Sequence, residues 1–288
     1  MDAQRTLRRA ISCVGIGLHS GNKVQLSLKP APINFGIRFR RADLGDHEVP
    51  ANVQHLAGIQ LATALSRNEV SVETVEHLLA ALVSMGVDNV LIELNSPEVP
   101  IMDGSAAPFI YLLDEAGIKR LSAGRRFLKV LRPIAMSQGD KRIALYPSDH
   151  FKVTYSISFD HPLLRHQSRT LRITEESFIE EIAPARTFTF LKDVENHRQN
   201  GLGRMLSNFR PQLSRRGKVT SKPPDLMPLA TRREARLTGI RPGIGSMFFS
   251  VSGVSIKPGF ITWMRTFILS KSYFSASAIL FSAALVAP

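Results

Sequence analysis

Between residues 70 and 109 the spacing of apolar positions changes twice. Val75, Leu78, Leu79, Leu82 and Val83 fall at i, i+3, i+4, i+7 and i+8, the stripe of an amphipathic helix. Ser71 is placed to cap its start, Glu73 puts a negative charge near its positive end, and Gly86 is placed to stop it. Residues 89–94 then read as a buried strand, which Pro97 and Pro100 prevent from continuing. Asp103 sits in a Met-Asp-Gly-Ser turn, where an Asx-turn accounts for it. Ser105 is placed to cap a second helix over 106–116, with Pro108 tolerated in the first turn.

Residues 3–30 read as two strands around a glycine-rich turn at 15–21, with Val24, Leu26 and Leu28 alternating in the second. Ile33, Phe35, Ile37 and Phe39 put another strand at 33–40, and 53–64 reads as extended. A linker is expected over 118–126, then strands at 127–131, 141–146 and 151–159, with Gly139-Asp140 as a hairpin turn. A helix begins at about 174–182, with acids in its first turn. Two passes of strands followed by helix predict an α+β fold. The expected architecture is two similar layered domains packed as a sandwich: 1–120, and a partial second domain at 125–200.

Charge separates the remainder. The chain of 288 residues has a formal net charge of +13. Residues 201–288 hold thirteen basic and two acidic residues, so 1–200 is close to neutral and no nucleic acid is expected as its partner. The 201–288 stretch reads as a divergent basic tail. Its last seventeen residues are too short and too polar for a membrane span. A single cysteine, Cys13, fits a reducing compartment, and the N-terminus lacks the apolar segment of a secretory signal, so a cytoplasmic location is expected.

Glu76 and His77 stand side by side near the start of the first helix, over a surface kept small by Ala80, Ala81 and Ser84. Such a pair suits a metal-bound water, the imidazole ligating and the carboxylate taking the proton. A solvated Glu-His pair on an exposed face satisfies the spacing equally. His19 lies in the glycine-rich turn, either facing a cleft or in solvent. Lys141 follows a turn and either meets a phosphate or lies solvated on a strand edge. Phe159 and His161 end a strand before Pro162, where the aromatic packs on a uracil or sugar face or closes the core.

The wording of these stretches adds a resemblance. TVEHLLAAL, GVDNVLIEL and PEVPIMDGSAAPF, with GIGLHSG before them and ARTF at 185–188 after, resemble the bacterial UDP-3-O-acyl-N-acetylglucosamine deacetylases over roughly residues 3–200. These are zinc amidases of lipid A synthesis. The resemblance implies Zn(2+) as cofactor, with His77 as a ligand and Glu76 as general base. It implies Thr187 steadying an oxyanion, Phe188 packing on the sugar and Lys141 contacting the diphosphate. Leu61 and Thr63 would border the site from a small sheet insertion, with His19, Phe159 and His161 also at the substrate. The partner it implies is UDP-3-O-acyl-N-acetylglucosamine, acted on by a monomer.

The same resemblance requires a histidine and an aspartate one helical turn apart on a later helix, and a further histidine near the C-terminus. No histidine follows His197, and Asp225 is the only later aspartate. A change of reading frame near 201–204 is the expected cause, with poor zinc binding and little turnover as its consequence. Two other readings are a non-catalytic UDP-sugar-binding remnant and a basic tail that binds nucleic acid or anionic membrane.

Overall fold

The computed structural model describes residues 2–45, 47–58, 61–127, 129–159, 166–189, 194, 197, 199–207 and 247–252. The expected site residue His161 and most of 201–288 lie outside them. The architecture is α+β.

The first sheet contains β2 (Ile11–Ile16), β3 (Lys23–Pro30), β4 (Ile37–Arg41), β5 (His47–Pro50) and β9 (Val90–Leu94), in the order β2-β3-β9-β4-β5. Its inner face presents the alternating Val24, Leu26, Leu28, Ile37, Phe39, Val90, Ile92 and Leu94, all buried. Its outer face carries a charge ladder across four strands. Lys29 Nζ lies 2.5 Å from Glu93, and Arg40 contacts both Glu93 at 3.2 Å and Glu48 at 2.7 Å. Arg38 contacts Glu48 at 3.2 Å.

Beside this sheet is a smaller one, β6 (Leu56–Gly58), β7 (Ala64–Arg67) and β8 (Val70–Glu73). Ser71 pairs with Ser66 in it and is no helix cap. Helix α1 (Glu76–Ser84) starts five residues later, with no side chain capping it. Gly86, at φ +69°, follows its C-terminus as expected. Helix α2 (Ala107–Ala116) packs on α1, and its Ala107 N–H is taken by Ser105 Oγ at 3.2 Å.

Every residue of α1 from Glu76 to Leu82 is buried, so the helix is covered all round rather than on one stripe. The second half of the chain supplies part of that cover. Phe178, Ile182 and Ala183 belong to the same buried cluster as Leu78, Leu82, Phe109 and Leu113.

Four elements differ from expectation. Residues 3–30 form three strands, since β1 (Ala3–Leu7) leaves the sheet to pair with β10 (Ile118–Gly124). That strand occupies the expected linker; its side chains are largely exposed, so its polarity mimics one. The described residues of 127–131 form no strand and Leu131 is exposed, while β11 (Ile134–Gln138) pairs across the Gly139-Asp140 turn with β12 (Lys141–Tyr146). Ile33 is also exposed, because 33–34 turn before β4 begins.

The second sheet adds β13 (Lys152–Ser158), β14 (His166–Arg172) and β15 (Met247–Ser252), in the order β11-β12-β15-β13-β14. Both large sheets thus place two hairpins on either side of a strand that arrives last. The strands within 125–200 thus flank a central strand from the tail. After β14, α3 (Glu175–Ser177) is held by a capping box between Thr174 and Ser177 and widens into a π-turn over Phe178–Ile182.

Candidate active site

Glu76 opens α1 and is 7 % exposed; His77 follows at 6 %. The exposed-face alternative is therefore excluded. Thr63, which precedes β7, donates its backbone N–H to Glu76 Oε1. The β7–β8 register, Ala64 opposite Glu73, brings Thr63 there. Thr63 is itself 2 % exposed, and its backbone holds the carboxylate.

Burial shifts both groups. It pushes the Glu76 carboxyl up to about 7, against the hydrogen bonds from Thr63 and with a small contribution from the nearby Glu98 charge. It pulls the His77 imidazole down to about 4, against the attraction of Asp103. At neutral pH His77 is thus a neutral imidazole, the form able to bind a metal, and Glu76 is poised to exchange a proton.

Asp103 forms the expected Asx-turn, its Oδ1 accepting from Ser105 N–H at 3.0 Å and Ser105 Oγ at 2.8 Å. Its charge also lies near enough to His77 to act on that imidazole, which turn chemistry alone did not reveal. The same turn receives the ARTF segment. Thr187 N–H donates to the Gly104 carbonyl at 2.8 Å, and Arg186 Nε to the Asp103 carbonyl at 2.6 Å. Thr187 is thereby fixed to the turn that carries Asp103. Phe188, 47 % exposed, meets Phe159 edge to face with ring centroids 5.9 Å apart. Lys141 opens β12 opposite Gln138, in the second sheet.

His19 lies in the 17–21 turn, its ring beside the Leu61 backbone. Burial lowers its pKa, Glu98 opposes that shift, and the nearby His197 adds to it. Its backbone N–H donates to Glu98 Oε1 at 2.9 Å. Glu98, Thr74 and His197 were not singled out in the sequence. A carboxylate set between Pro97 and Val99-Pro100 was the available signal for Glu98.

Three non-glycine residues here have left-handed backbone: Leu61 at φ 63°, Thr74 at 57° and Met102 at 55°. Each lies within two residues of Thr63, Glu76 or Asp103. Such conformations cost on the order of 1–3 kcal/mol and persist where the surroundings enforce them. Thr74 is the most strained, being β-branched.

A catalytic zinc normally takes three protein ligands. Among the described residues, no three His, Cys, Asp or Glu side chains come together as a metal-holding group. His77 offers one imidazole, and the described residues do not by themselves fit the ion.

The LpxC family model, described as UDP-3-O-acyl N-acetylglycosamine deacetylase, matches residues 4–210. Among curated proteins, the UDP-3-O-acyl-N-acetylglucosamine deacetylase of Pseudomonas entomophila strain L48 is 45% identical over 205 residues, covering 70% of this chain and 68% of that protein. The protein of that name from Idiomarina loihiensis is 48% identical over 206 residues, 70% of this chain and 67% of its own. The one from Xylella fastidiosa strain Temecula1 is 44% identical over 206 residues, 70% and 68%.

Proposed function

Because this chain belongs to the UDP-3-O-acyl N-acetylglycosamine deacetylase family, we propose that its site is built to hydrolyse the N-acetyl group of UDP-3-O-acyl-N-acetylglucosamine, a step of lipid A synthesis. The observation that carries this reading is the Glu76 carboxyl, held buried at the head of α1 with a pKa near 7 and followed by a neutral His77.

Glu76 takes a proton from the attacking water as its oxygen bonds to the acetamide carbon. Negative charge develops on the carbonyl oxygen, and the Thr187 hydroxyl is the donor assigned to it. When the carbon–nitrogen bond breaks, the proton held by Glu76 returns to the amine. The products are acetate and a 2-amino sugar nucleotide that keeps its acyl chain. Phe159 and Phe188 supply an aromatic wall for the sugar nucleotide, and Lys141 a positive charge for its diphosphate.

His77 is the residue of this chain that would hold zinc, and the ion would supply Lewis-acid chemistry beside Glu76. The family match ends at residue 210 and no histidine follows His197, so the proposal includes weak zinc binding and low turnover. A second reading, sugar-nucleotide binding without hydrolysis, is favoured by the Phe159–Phe188 pair, which lies before the end of the match.

The test combines acetate release from UDP-3-O-acyl-N-acetylglucosamine, zinc stoichiometry after dialysis and calorimetric binding of the sugar nucleotide. Glu76→Ala should lower kcat by about 10²–10⁴-fold with KM little changed. Binding with neither zinc nor turnover would establish the second reading. Near-stoichiometric zinc with full turnover would show that residues beyond His77 complete the site.

A further inference from the structure

We propose that Glu98 is the positioning residue of this site: it ties the His19 turn to the strained entry of α1, and so sets where His19 and Glu76 stand. This rests on the deacetylase reading for its functional consequence and on geometry alone for the clamp.

Glu98 is 1 % exposed, and its carboxylate takes three hydrogen bonds from two separate segments. His19 N–H reaches Oε1 at 2.9 Å and Ser20 N–H reaches Oε2 at 2.8 Å. Thr74 Oγ1 donates to Oε1 at 3.0 Å. The turn closes tightly around the carboxylate: a Cβ on Gly17 would collide with Glu98 Oε2 and with Ser20 Oγ. The backbone makes the same connection, since Glu73 N–H donates to Pro97 O at 2.8 Å and Val99 N–H to Glu73 O at 2.9 Å.

These contacts converge on one problem. Thr74 is held at φ 57°, which a β-branched residue does not adopt unaided. That conformation turns the chain from β8 into α1, whose first residue is Glu76. A bond from the Thr74 side chain to a buried acceptor is what enforces it, and the same acceptor fixes the backbone of His19. Polar groups this buried need their partners, so loss of the carboxylate releases both segments together.

Glu98→Gln in the full chain is the test. It keeps the volume but turns an amide NH2 towards one of the three donors. Amide hydrogen exchange at His19 and Ser20 should quicken by about tenfold or more, while Leu26, Leu28 and Ile92 in the core strands stay protected. The dissociation constant for UDP-3-O-acyl-N-acetylglucosamine should rise in parallel by about 3–10-fold. Thr74→Val, which removes only the hydroxyl, should quicken exchange at the start of α1 and spare Ser20.

Unchanged exchange at His19 and Ser20 overturns the clamp. Equal loss of protection throughout the first sheet overturns positioning in favour of general stability. A local response with unaltered affinity overturns the role at the site. If the unsubstituted chain fails to bind the sugar nucleotide, the deacetylase reading fails, and the exchange data still decide the clamp.

Discussion

Glu76 and His77 are adjacent, yet burial gives them opposite pH behaviour. The folded chain holds the Glu76 proton up to about pH 7, whereas an unfolded carboxyl releases it near 4.5. Its contribution to stability is complete below about 4.5 and is lost as pH rises through 7. The folded His77 refuses a proton down to about pH 4, whereas an unfolded imidazole accepts one near 6.5. Its contribution is present above 6.5 and is lost as pH falls towards 4. Between about 4.5 and 6.5 the two slopes cancel. Glu76→Gln removes one of them. The metal-free variant should be more stable than the parent at pH 8 by about 3–4 kcal/mol, since each tenfold change in proton affinity is worth roughly 1.4 kcal/mol. Between pH 4.5 and 6.5 its stability should climb more steeply than the parent's. Urea titrations at pH 5, 6.5 and 8 check this, and a variant less stable at pH 8 contradicts it. Thr187→Val keeps the backbone bond to Gly104 and removes only the hydroxyl. It should lower any measurable kcat by about 10²-fold without changing the melting temperature.

Among the elements, the first sheet offers the sharpest test. Its outer face alternates sign from β3 to β5 through Lys29, Glu93, Arg40, Glu48 and Arg38. Arg40 bridges two carboxylates, and its hydrogen bond to Glu48 is the main reason that carboxyl lies below its ordinary range. The Glu48 contribution is therefore present above its ordinary pKa and is lost as pH falls through the lowered one. Arg40→Gln should cost about 1 kcal/mol at low ionic strength, and the difference should shrink in 1 M salt. A salt-independent difference would assign the effect to packing of the arginine stem. The strands of this sheet were readable from alternation because one face is buried and the other charged. β10 was read as a linker for the opposite reason: its pattern holds no buried face, and only pairing with β1 makes it a strand.

At the scale of the whole molecule, the two large sheets share one order, hairpin, late strand, hairpin, but the late strand runs in opposite senses. β9 is antiparallel to β3 and parallel to β4. β15 is parallel to β12 and antiparallel to β13. A slot between two strands accepts either direction, because both ladders satisfy the backbone groups. Truncation after residue 207 removes β15 and leaves β12 and β13 with unpaired edges. Hydrogen exchange in those two strands should then quicken while β3 and β9 are unaffected, and the truncated chain should self-associate more readily. Unchanged protection in β12 and β13 would show that β15 does not hold the second sheet.

The sequence by itself determined the features that depend on local spacing. The α1 stripe, the Gly86 stop, the Asp103 turn, the alternating strands of the first sheet and the Gly139-Asp140 hairpin all follow from neighbours within a few residues. The wording around Glu76, His77 and Thr187 further gave the family. Tertiary structure alone decided what depends on distant residues. It buried α1 on every side, shifted Glu76 and His77 in opposite directions, and put the Thr63 backbone on the Glu76 carboxylate. It also placed Glu98, 79 residues from His19, beneath that residue's turn. Periodicity reports which face of an element is apolar, but burial of a charge and the partner that satisfies it are set only when separate elements close around them.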